Sequence, residues 1–533
     1  MALKRKAWRQ IQDSFVIGYA FLKDRLLTET EVYEECVQAI RQEGLSDLLK
    51  RLNGSYAAVI HEGRSIYLIV DRLRSYPILY SKGDSSYHIS DCAEGLMDAI
   101  QNKQMLDLAI AELLTSGCLL GNKTLFESTY TVEAGSFVTI QNDNCNITTY
   151  FDHIYEKHVD DDSTIIKRSK TILENAFERI FKTVGDRQVV IPLSGGYDSR
   201  LIACMCKEFG LKNVICFSYG KKDSWEAEIS KKVAKQLGFN WYFVEYTAEV
   251  RLNFLKSKDF SDYKKFAGSF NALPHTQDFL AIKFLIENGT IRTDAVVMPG
   301  HSGDLLGGSQ LPDFSTKLPL HSLIFRNRYR GNALRSFYRN KVLNELYKFV
   351  GGIPVCEDID KNMNMLHLWF IKVLVSNYLV NSARGYEYFG LDWRMPLWEN
   401  EFAEYWMSVP WNKKMPKSKL YNQFMFETYF LKYGVDFQPP VSVANSNLRN
   451  AFSQIRQILP DNMVATARKY KNIIFKKLEK KADINAAFVF VDYLTSINEH
   501  PKLYLLHKPS TAMGAAVIDY FLTCKSFVRE GNQ

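Results

Sequence analysis

The chain has 533 residues, 46% of them hydrophobic and 24% charged, with a net charge of +8. At roughly 150 residues per domain this length predicts several domains, and the composition excludes a disordered or fibrous chain. The mild positive charge does not by itself indicate nucleic-acid binding. No apolar run approaches the roughly 18 residues of a transmembrane helix.

The first residues, "MALKRKAWRQIQDSF", are basic but lack the apolar run of a signal peptide. We therefore expect a cytoplasmic protein that does not use a membrane. The nine cysteines are scattered, without CxxC pairs or a histidine cluster beside them. This spacing predicts reduced, mostly structural thiols.

Residues 1–155 contain short alternating apolar runs such as "SYAAVIHEG", "SIYLIVDR" and "SFVTIQNDN", separated by turn residues. A period of two with Gly, Asn and Asp between the runs is typical of antiparallel strands. The pattern changes near "YFDHIYEKHVDDDS", at residues 150–163. This stretch is the predicted domain boundary.

Beyond the boundary, helices alternate with strands. The helix "STIIKRSKTILENAFERIFKTV" precedes the strand "QVVIPL", and the strands "NVICFSYG" and "NWYFVEYT" follow after one helix each. This alternation predicts a parallel α/β sheet. Helical periodicity dominates from about residue 320. The fold class is therefore α/β, with an antiparallel part before a parallel one.

The strand "VVIPL" runs directly into Ser194, Gly195 and Gly196, and a helix follows. A glycine-rich turn that opens a helix presents backbone N–H groups to an anion. The turn lacks the lysine of a Walker loop and does not fit the dinucleotide pattern GxGxxG. Asp198 follows the glycines instead, and a carboxylate beside a phosphate normally needs a metal ion between them.

A second glycine-rich turn, "DAVVMPGHSGDLLGGS", also follows an apolar strand and also contains one aspartate, Asp304. Turns at the ends of neighbouring parallel strands meet at one edge of a sheet. They would place Asp198 and Asp304 on either side of a triphosphate, where two carboxylates can share Mg²⁺.

With these two turns the sequence resembles the asparagine synthetase family, whose synthetase domain is a PP-loop ATP pyrophosphatase. The family motif SGGxDS is matched in full from Ser194 to Ser199. The second family motif is matched at Asp304, Gly307 and Gly308, but Leu305 stands where an acid is usual. The resemblance implies ATP and Mg²⁺.

The N-terminal part resembles the class II glutaminase domain of the same family, through "LNGSYAAVI", "LIVDRLRSYPILY" and "HISD". This resemblance implies an Ntn-hydrolase-like antiparallel β-sandwich with helices. A working glutaminase of this class needs an N-terminal cysteine, whereas this sequence starts Met1-Ala2 and its first cysteine is Cys36. We expect no glutaminase activity. Related β-lactam synthetases and lasso-peptide cyclases share this combination.

The resemblance implies three parts. Residues 1–155 are a degenerate amidotransferase-like domain, residues 160–481 are the ATP-binding synthetase domain, and residues 482–533 are a helical C-terminal extension. The implied metal ligands are Asp198 and Asp304. The implied ATP- and pyrophosphate-binding residues are Leu193, Ser194, Gly195, Gly196, Asp198, Ser199, Phe217, Ser218, Tyr219, Gly300, Ser302 and Gly303.

His301 lies three residues before Asp304, where asparagine synthetases are usually acidic and β-lactam synthetases have tyrosine. A histidine here could deprotonate the incoming amine, or it could cap the loop structurally, and the sequence leaves both interpretations open. The family lysine that stabilises adenylation implies Lys469 or Lys471. Glu387 and Asp392 are candidate partners of the amine-side base.

The predicted function is an AMP-forming amide ligase that adenylates a carboxylate and passes the acyl group to ammonia or an amine. The acceptor is a small molecule, a sugar acid or a peptide, and a homo-oligomer is compatible with the pattern. One alternative is intramolecular amide closure. Another is a PP-loop protein acting on nucleic acid, because residues 326–341 contain six basic residues and no acidic one. We do not expect a nucleic-acid partner, since such a run is more often a solvated helix face.

Overall fold

The computed structural model describes residues 1–438 except 6, 84–85, 98–99, 101–103, 143, 158, 330–335 and 417. Its N-terminal part contains ten strands. These are β1 Arg9–Ile11, β2 Ser14–Leu22, β3 Arg25–Leu27, β4 Leu52–Glu62, β5 Ser65–Val70, β6 Leu79–Lys82, β7 Tyr87–Ser90, β8 Thr129–Thr131, β9 Ser136–Gln141 and β10 Asn144–Thr149.

The N-terminal strands form two antiparallel sheets, as the alternating pattern predicts. Seven strands make one sheet in the order β1-β2-β4-β5-β9-β10, with β3 paired to β2, and the order in the other is β7-β6-β8. Four helices accompany them: α1 Glu29–Arg41, α2 Leu45–Arg51, α3 Glu94–Met97 and α4 Asp107–Ser116.

Helix α1 shows how local chemistry fixes one of these elements. It begins with a capping box, in which Thr28 accepts from the Glu31 N–H and the Glu31 side chain accepts from the Thr28 N–H. Its apolar stripe, Val32, Cys36 and Val37, is buried in one core with residues of β2 and β4. Cys36, the first cysteine of the sequence, therefore lies buried within α1.

The second part is built on a parallel sheet. Its strands are β11 Val189–Pro192, β12 Val214–Gly220, β13 Asn240–Glu245, β14 Val296–Val297 and β15 Asp392–Trp393. Its first helices are α5 Asp162–Val184, α6 Tyr197–Glu208, α7 Trp225–Leu237, α8 Ala248–Leu255, α9 Lys258–Ala267 and α10 Phe279–Glu287. The predicted alternation of strands and helices is confirmed, and so is the α/β fold class.

The order of the parallel strands is β13-β12-β11-β14-β15. From β11 the chain adds β12 and β13 on one side, and then returns to add β14 on the other. Such a reversal opens a crevice at the carboxyl ends of the two central strands. The turns after β11 and β14 are the two glycine-rich turns of the sequence.

Helices cover the rest of the described chain. They are α11 Gly303–Gly307, α12 Leu320–Arg328, α13 Ser336–Val350, α14 Ile359–Trp369, α15 Arg384–Tyr388, α16 Asn400–Ser408, α17 Trp411–Lys414, α18 Lys419–Met425 and α19 Leu431–Tyr433. Two stretches are π-helical, Phe370–Leu379 and Phe426–Phe430, and two are 3₁₀-helical, Val380–Ala383 and Pro396–Trp398. The expected helical extension at residues 482–533 lies outside the described residues.

One helical run, Ile359–Tyr388, is long and apolar enough to cross a membrane by length and composition alone, and 61% of its apolar window is buried inside the protein. The run packs into the main core through side chains such as Leu366, Trp369 and Phe370. Core helices commonly pass this test, so the run is weak evidence for a membrane span.

The eight described cysteines are all free thiols, as predicted.

Candidate active site

The first glycine-rich turn lies at the carboxyl end of β11. The Leu193 N–H continues the strand ladder by donating to the Phe217 carbonyl oxygen at 2.8 Å. Gly196 is the N-cap of α6, and no side chain caps this helix end. The first N–H groups of α6 therefore face outward beside the positive end of the helix dipole, an arrangement that binds anions.

Hydrogen bonds inside the turn fix its shape. The Ser194 N–H donates to Ser199 Oγ at 3.1 Å, and the two serine hydroxyls lie 3.0 Å apart. The Gly196 N–H donates to Ser194 Oγ at 3.1 Å. Ser199 is buried while Ser194 and Gly196 are exposed. The turn is thus fixed by hydrogen bonds on its buried side and is exposed to solvent on its other side.

The second turn packs directly onto the first. A Cβ atom on Gly300 would lie 2.3 Å from the backbone nitrogen of Ser199. A Cβ atom on Gly303 would lie 2.8 Å from Asp198 Oδ1. Ser302 has the left-handed φ of 61° and leads into α11. Gly300 is needed because the two turns meet backbone to backbone there, whereas a Cβ atom on Gly303 would meet the side chains of Leu397, Asp198 and Tyr421.

We expect Gly300→Ala to destabilise the fold by about 2 kcal/mol, because its methyl group meets backbone atoms that cannot move aside. Urea unfolding followed by circular dichroism measures this loss. Gly44→Ala is the matched control, since the added Cβ would meet nothing closer than 4.0 Å. Equal stability of the two variants would contradict the close contact between the turns.

The two aspartates lie together where the turns meet. The Asp304 N–H donates to Asp198 Oδ2 at 3.0 Å, and Ser309 Oγ donates to Asp304 Oδ2. Burial and the Asp304 carboxylate raise the pKa of Asp198 to about 8. Two facing carboxylates, one of which raises the pKa of the other, are a donor set that suits a hard divalent cation such as Mg²⁺. No group of three or more potential metal ligands occurs among the described residues.

The β12 residues of the predicted nucleotide side lie next to the first turn. Phe217 is fully buried, and the Ser218 hydroxyl donates to the Leu193 carbonyl oxygen. The Tyr219 hydroxyl donates to Asp278 Oδ1 at 2.6 Å. Ser218 therefore holds the turn against β12. Tyr219 connects β12 to Asp278, a residue that the sequence did not indicate as part of the site.

His301 faces a second histidine. Its Nε2 atom is buried and has no hydrogen-bond partner in the part of the chain that the structure describes, and its ring centroid lies 6.3 Å from that of His275. The His301 carbonyl oxygen accepts from Trp398 Nε1 at 3.1 Å, so the backbone is held independently of the ring. Burial lowers the pKa of both histidines, that of His275 to about 4. Both rings are therefore neutral at neutral pH.

A buried carboxylate, Asp278, lies behind the two histidines. It accepts from the Tyr219 hydroxyl at Oδ1 and from the Tyr386 hydroxyl at Oδ2. Its charge raises the pKa of His275 and of His301 and so opposes the effect of their burial. We call Asp278, Tyr219, Tyr386, His275 and His301 the histidine cluster. It joins the strand, turn and helical parts of the site.

Comparison with known proteins identifies the family to which this chain belongs. Asparagine synthase matches residues 170–472, more than half of the chain, and the glutamine amidotransferase domain matches residues 20–151. The chain belongs to the asparagine synthase family. The resemblance found in the sequence is confirmed for both parts.

Two curated relatives are similar to this chain. A probable glutamine-hydrolyzing asparagine synthetase of Acanthamoeba polyphaga mimivirus is 21% identical over 508 residues, which cover 90% of this chain and 80% of the relative. The microcin J25-processing protein McjC of Escherichia coli is 24% identical over 287 residues, covering 52% of this chain and 51% of McjC. The chain thus spans about half the length of McjC.

Two solved structures are similar in parts. The NH3-dependent NAD synthetase of Campylobacter jejuni, solved with a nitrate ion, is 20% identical with a TM-score of 0.19, and the match covers 28% of this chain and 61% of that one. The glutamine phosphoribosylpyrophosphate amidotransferase of B. subtilis is 12% identical with a TM-score of 0.20, covering 46% of this chain and 73% of that one.

Within this asparagine synthase family member, the structure does not bring the predicted amine-side carboxylates to His301. Glu387 accepts from Arg5 Nε at 2.7 Å and Trp393 Nε1 at 2.9 Å, and lies 3.1 Å from Arg384. Asp392 pairs with Arg187 at 2.6 Å. Because Arg5 and Arg187 neutralise these groups, they are better suited to holding parts of the chain together. The carboxylate beside His301 is Asp278. Lys469 and Lys471 lie outside the described residues.

Sequence reasoning missed Asp278, His275 and two further residues. The Tyr421 hydroxyl is buried and no described residue forms a hydrogen bond with it, and a Cβ atom on Gly303 would lie 2.8 Å from it. The charges of Asp198 and Asp304, added to burial, raise the pKa of Tyr421 well above its usual value. Lys414 packs against Gly308, and its buried Nζ atom has no hydrogen-bond partner within the described ranges. A weak signal existed only for His275 and Asp278, polar residues directly before the apolar helix "FLAIKFLIE".

Proposed function

We propose that this protein is an AMP-forming amide ligase of the asparagine synthase type. It would adenylate a carboxylate with ATP, release pyrophosphate, and transfer the acyl group to ammonia or an amine. The observation that supports this most strongly is the contact between Asp198 and Asp304 at the strand-order reversal. The family uses ATP, and this contact lies beside an uncapped helix N-terminus that suits phosphate.

The proposed roles follow from position. The Gly195 N–H, the first N–H groups of α6 and the Ser194 and Ser199 hydroxyls would bind pyrophosphate, while the Ser194 and Gly196 N–H groups shape the turn from within. Gly300, Ser302 and Gly303 would close the opposite side. Asp198 and Asp304 would hold Mg²⁺, which when bound neutralises charge that develops on the leaving pyrophosphate. Leu193, Phe217, Ser218 and Tyr219 would form the nucleotide side of the crevice.

We also propose that the N-terminal part lacks glutaminase activity. Cys36 is buried in α1, and burial raises its pKa to about 12, which excludes it as a nucleophile. Asp91 is the aspartate of the glutaminase-like stretch "HISD". Its side chain accepts from the Lys4 N–H, the Arg5 N–H and Trp8 Nε1, so the N-terminal segment already occupies this carboxylate. The nitrogen would then come from free ammonia or from an amine, in a cytoplasmic enzyme.

The relatives leave two classes of acceptor open. Similarity over 90% of the chain to a probable asparagine synthetase favours a small carboxylate such as aspartate. The second candidate is intramolecular amide closure of a peptide or small molecule, which the similarity to a microcin-processing protein favours. His301 and Leu305, on the substrate side of the second turn, depart from the family pattern and are compatible with either class.

Pyrophosphate exchange into ATP tests the proposal. Purified full-length protein with Mg²⁺ is assayed with aspartate, glucuronate and a carboxylate-bearing peptide, each with and without ammonium. We expect exchange that depends on one carboxylate, followed by equal amounts of AMP and pyrophosphate when the amine is present. Formation of ADP and phosphate, or dependence on added RNA, would contradict the proposal.

We predict that His301→Ala preserves pyrophosphate exchange to within a few-fold but lowers amide formation by about a hundredfold or more, as expected for loss of a general base. The two rates are measured on the same preparation. His61→Ala is the control, because His61 is exposed on β4. Parallel loss of both rates would instead indicate that His301 is a structural residue.

A further inference from the structure

An irregular segment, residues 268–278, connects α9 to α10 and carries both His275 and Asp278. We call it the bridging segment, because the N-terminal part of the chain holds one side of it through backbone hydrogen bonds. The bonds run from Ala93 N–H to Gly268 O at 2.8 Å, Leu125 N–H to Phe270 O at 2.9 Å, Leu119 N–H to Asn271 O at 2.8 Å, and Leu273 N–H to Gly117 O at 3.0 Å.

The π-helix Phe370–Leu379 and the 3₁₀-helix Val380–Ala383 that follows it, together called the π-helical region, hold the bridging segment from a different direction. Asn271 Nδ2 donates to Asn377 Oδ1 at 3.2 Å, and Asn381 Nδ2 donates to the Leu273 carbonyl oxygen at 2.8 Å. All three asparagines are buried. A buried stretch without regular structure remains ordered only when its polar groups are satisfied in this way.

The bridging segment ends at the histidine cluster. The Tyr263 hydroxyl donates to the His275 carbonyl oxygen, and the His275 ring contacts Tyr378 with a centroid distance of 5.8 Å. His275 is half-buried, whereas Nε2 of His301 is fully enclosed. His301 as a whole is also half-buried, so the two imidazoles lie side by side at a similar depth.

The proton balance of amide formation explains a pair of bases. An ammonium or alkylammonium group must lose one proton before its nitrogen can attack the acyl carbon. When the C–N bond has formed, the nitrogen still carries an extra proton, which must leave as the C–O bond to AMP breaks and AMP departs with the electron pair. One imidazole that has accepted the first proton cannot accept the second until it has passed the first one on.

We propose that His275 is a positioning and relay residue for this second half-reaction: it accepts from His301 the proton taken from the amine and returns it toward solvent. This rests on the proposed function, and within it His301 meets the amine while His275 acts through His301. Asp278, anchored by two tyrosine hydroxyls, would stabilise whichever ring is protonated.

Kinetics of the His275→Gln variant provide the first test, with the carboxylate that supports exchange in the wild type and with ammonium chloride as the amine source. We expect exchange to be retained and amide formation to fall at least tenfold in kcat, with little change in KM for ammonium. The solvent deuterium isotope effect on kcat should curve with deuterium fraction in the wild type and become linear in the variant. Equal loss of exchange, or an unchanged dependence on deuterium, would overturn the proposal.

A second measurement needs no substrate and so separates this inference from the proposed function. In full-length protein labelled with ¹³C-histidine, the His275→Gln and His301→Gln variants assign the two ring signals. We expect each substitution to raise the titration midpoint of the remaining ring, because a protonated neighbour opposes its charge. The titratable groups recorded around the pair are Asp278, Tyr219, Tyr386 and Tyr378. An unmoved His301 signal would overturn the relay.

The two tests fail differently. Absence of exchange with every carboxylate would remove the ligase proposal but leave the histidine titration to be decided by itself. Exchange and amide formation in the wild type with normal amide formation in His275→Gln would keep the ligase and remove the relay. His88→Gln is the matched control for both measurements, because His88 lies on β7 in the N-terminal part.

Discussion

Replacing Asp304 with asparagine is expected to lower Mg²⁺-dependent pyrophosphate exchange by about a thousandfold. Asp198 and Asp304 are the carboxylates at the crevice between β11 and β14, and their turns meet backbone to backbone. An amide in place of one carboxylate weakens cation binding where charge develops on the leaving pyrophosphate. The initial exchange rate at saturating ATP, over a range of Mg²⁺ concentrations, measures the effect.

The control for this substitution is Asp294→Asn, which removes the same charge at an exposed position paired with Arg292. We expect it to retain normal exchange. A second measurement is the midpoint of thermal unfolding, which Mg²⁺ with ATP should raise in the wild type but not in Asp304→Asn, because only bound ligand stabilises the folded state. Normal exchange by Asp304→Asn would contradict the assigned metal site.

The sequence predicts this part of the site well because its signals are local. Each glycine-rich turn follows a short apolar strand, and the positions of Asp198 and Asp304 within their turns are fixed by a few residues. Parallel strands bring such turns to one edge, so correct strand assignment was enough to predict that the aspartates meet. The backbone contact at Gly300 follows from the same geometry.

The histidine cluster could not be predicted in this way. Asp278 is brought to Tyr219 and Tyr386 by the bridging segment, whose position depends on hydrogen bonds to the N-terminal part and to the π-helical region. Nothing within a few residues of Asp278 encodes those contacts. For the same reason the sequence does not reveal the contact between Glu387 and Arg5, which lie 382 residues apart in the chain.

The second large effect concerns stability. We expect Lys414→Met to raise the free energy of unfolding at pH 7 by on the order of 2 to 4 kcal/mol. The Lys414 side chain is fully buried, its Nζ atom has no hydrogen-bond partner among the described residues, and burial lowers its pKa to about 7. Methionine has a similar volume and removes the need to bury an ammonium group without a counter-charge. Urea unfolding of both proteins at several pH values measures the difference.

The stability gained by Lys414→Met should depend on pH. In the unfolded chain Lys414 keeps its proton up to its ordinary pKa near ~10.4, whereas in the folded protein it loses the proton above about 7. Between these values the unfolded state binds more protons, so this lysine makes the wild type more stable as pH rises. The advantage of Lys414→Met should therefore be greatest at pH 7 and below and should shrink toward pH 10. Lys413→Met, which removes the neighbouring lysine paired with Asp162, should change stability by less than about 1 kcal/mol. A pH-independent gain, or a loss, for Lys414→Met would mean that the buried amine has a partner that stabilises its charge.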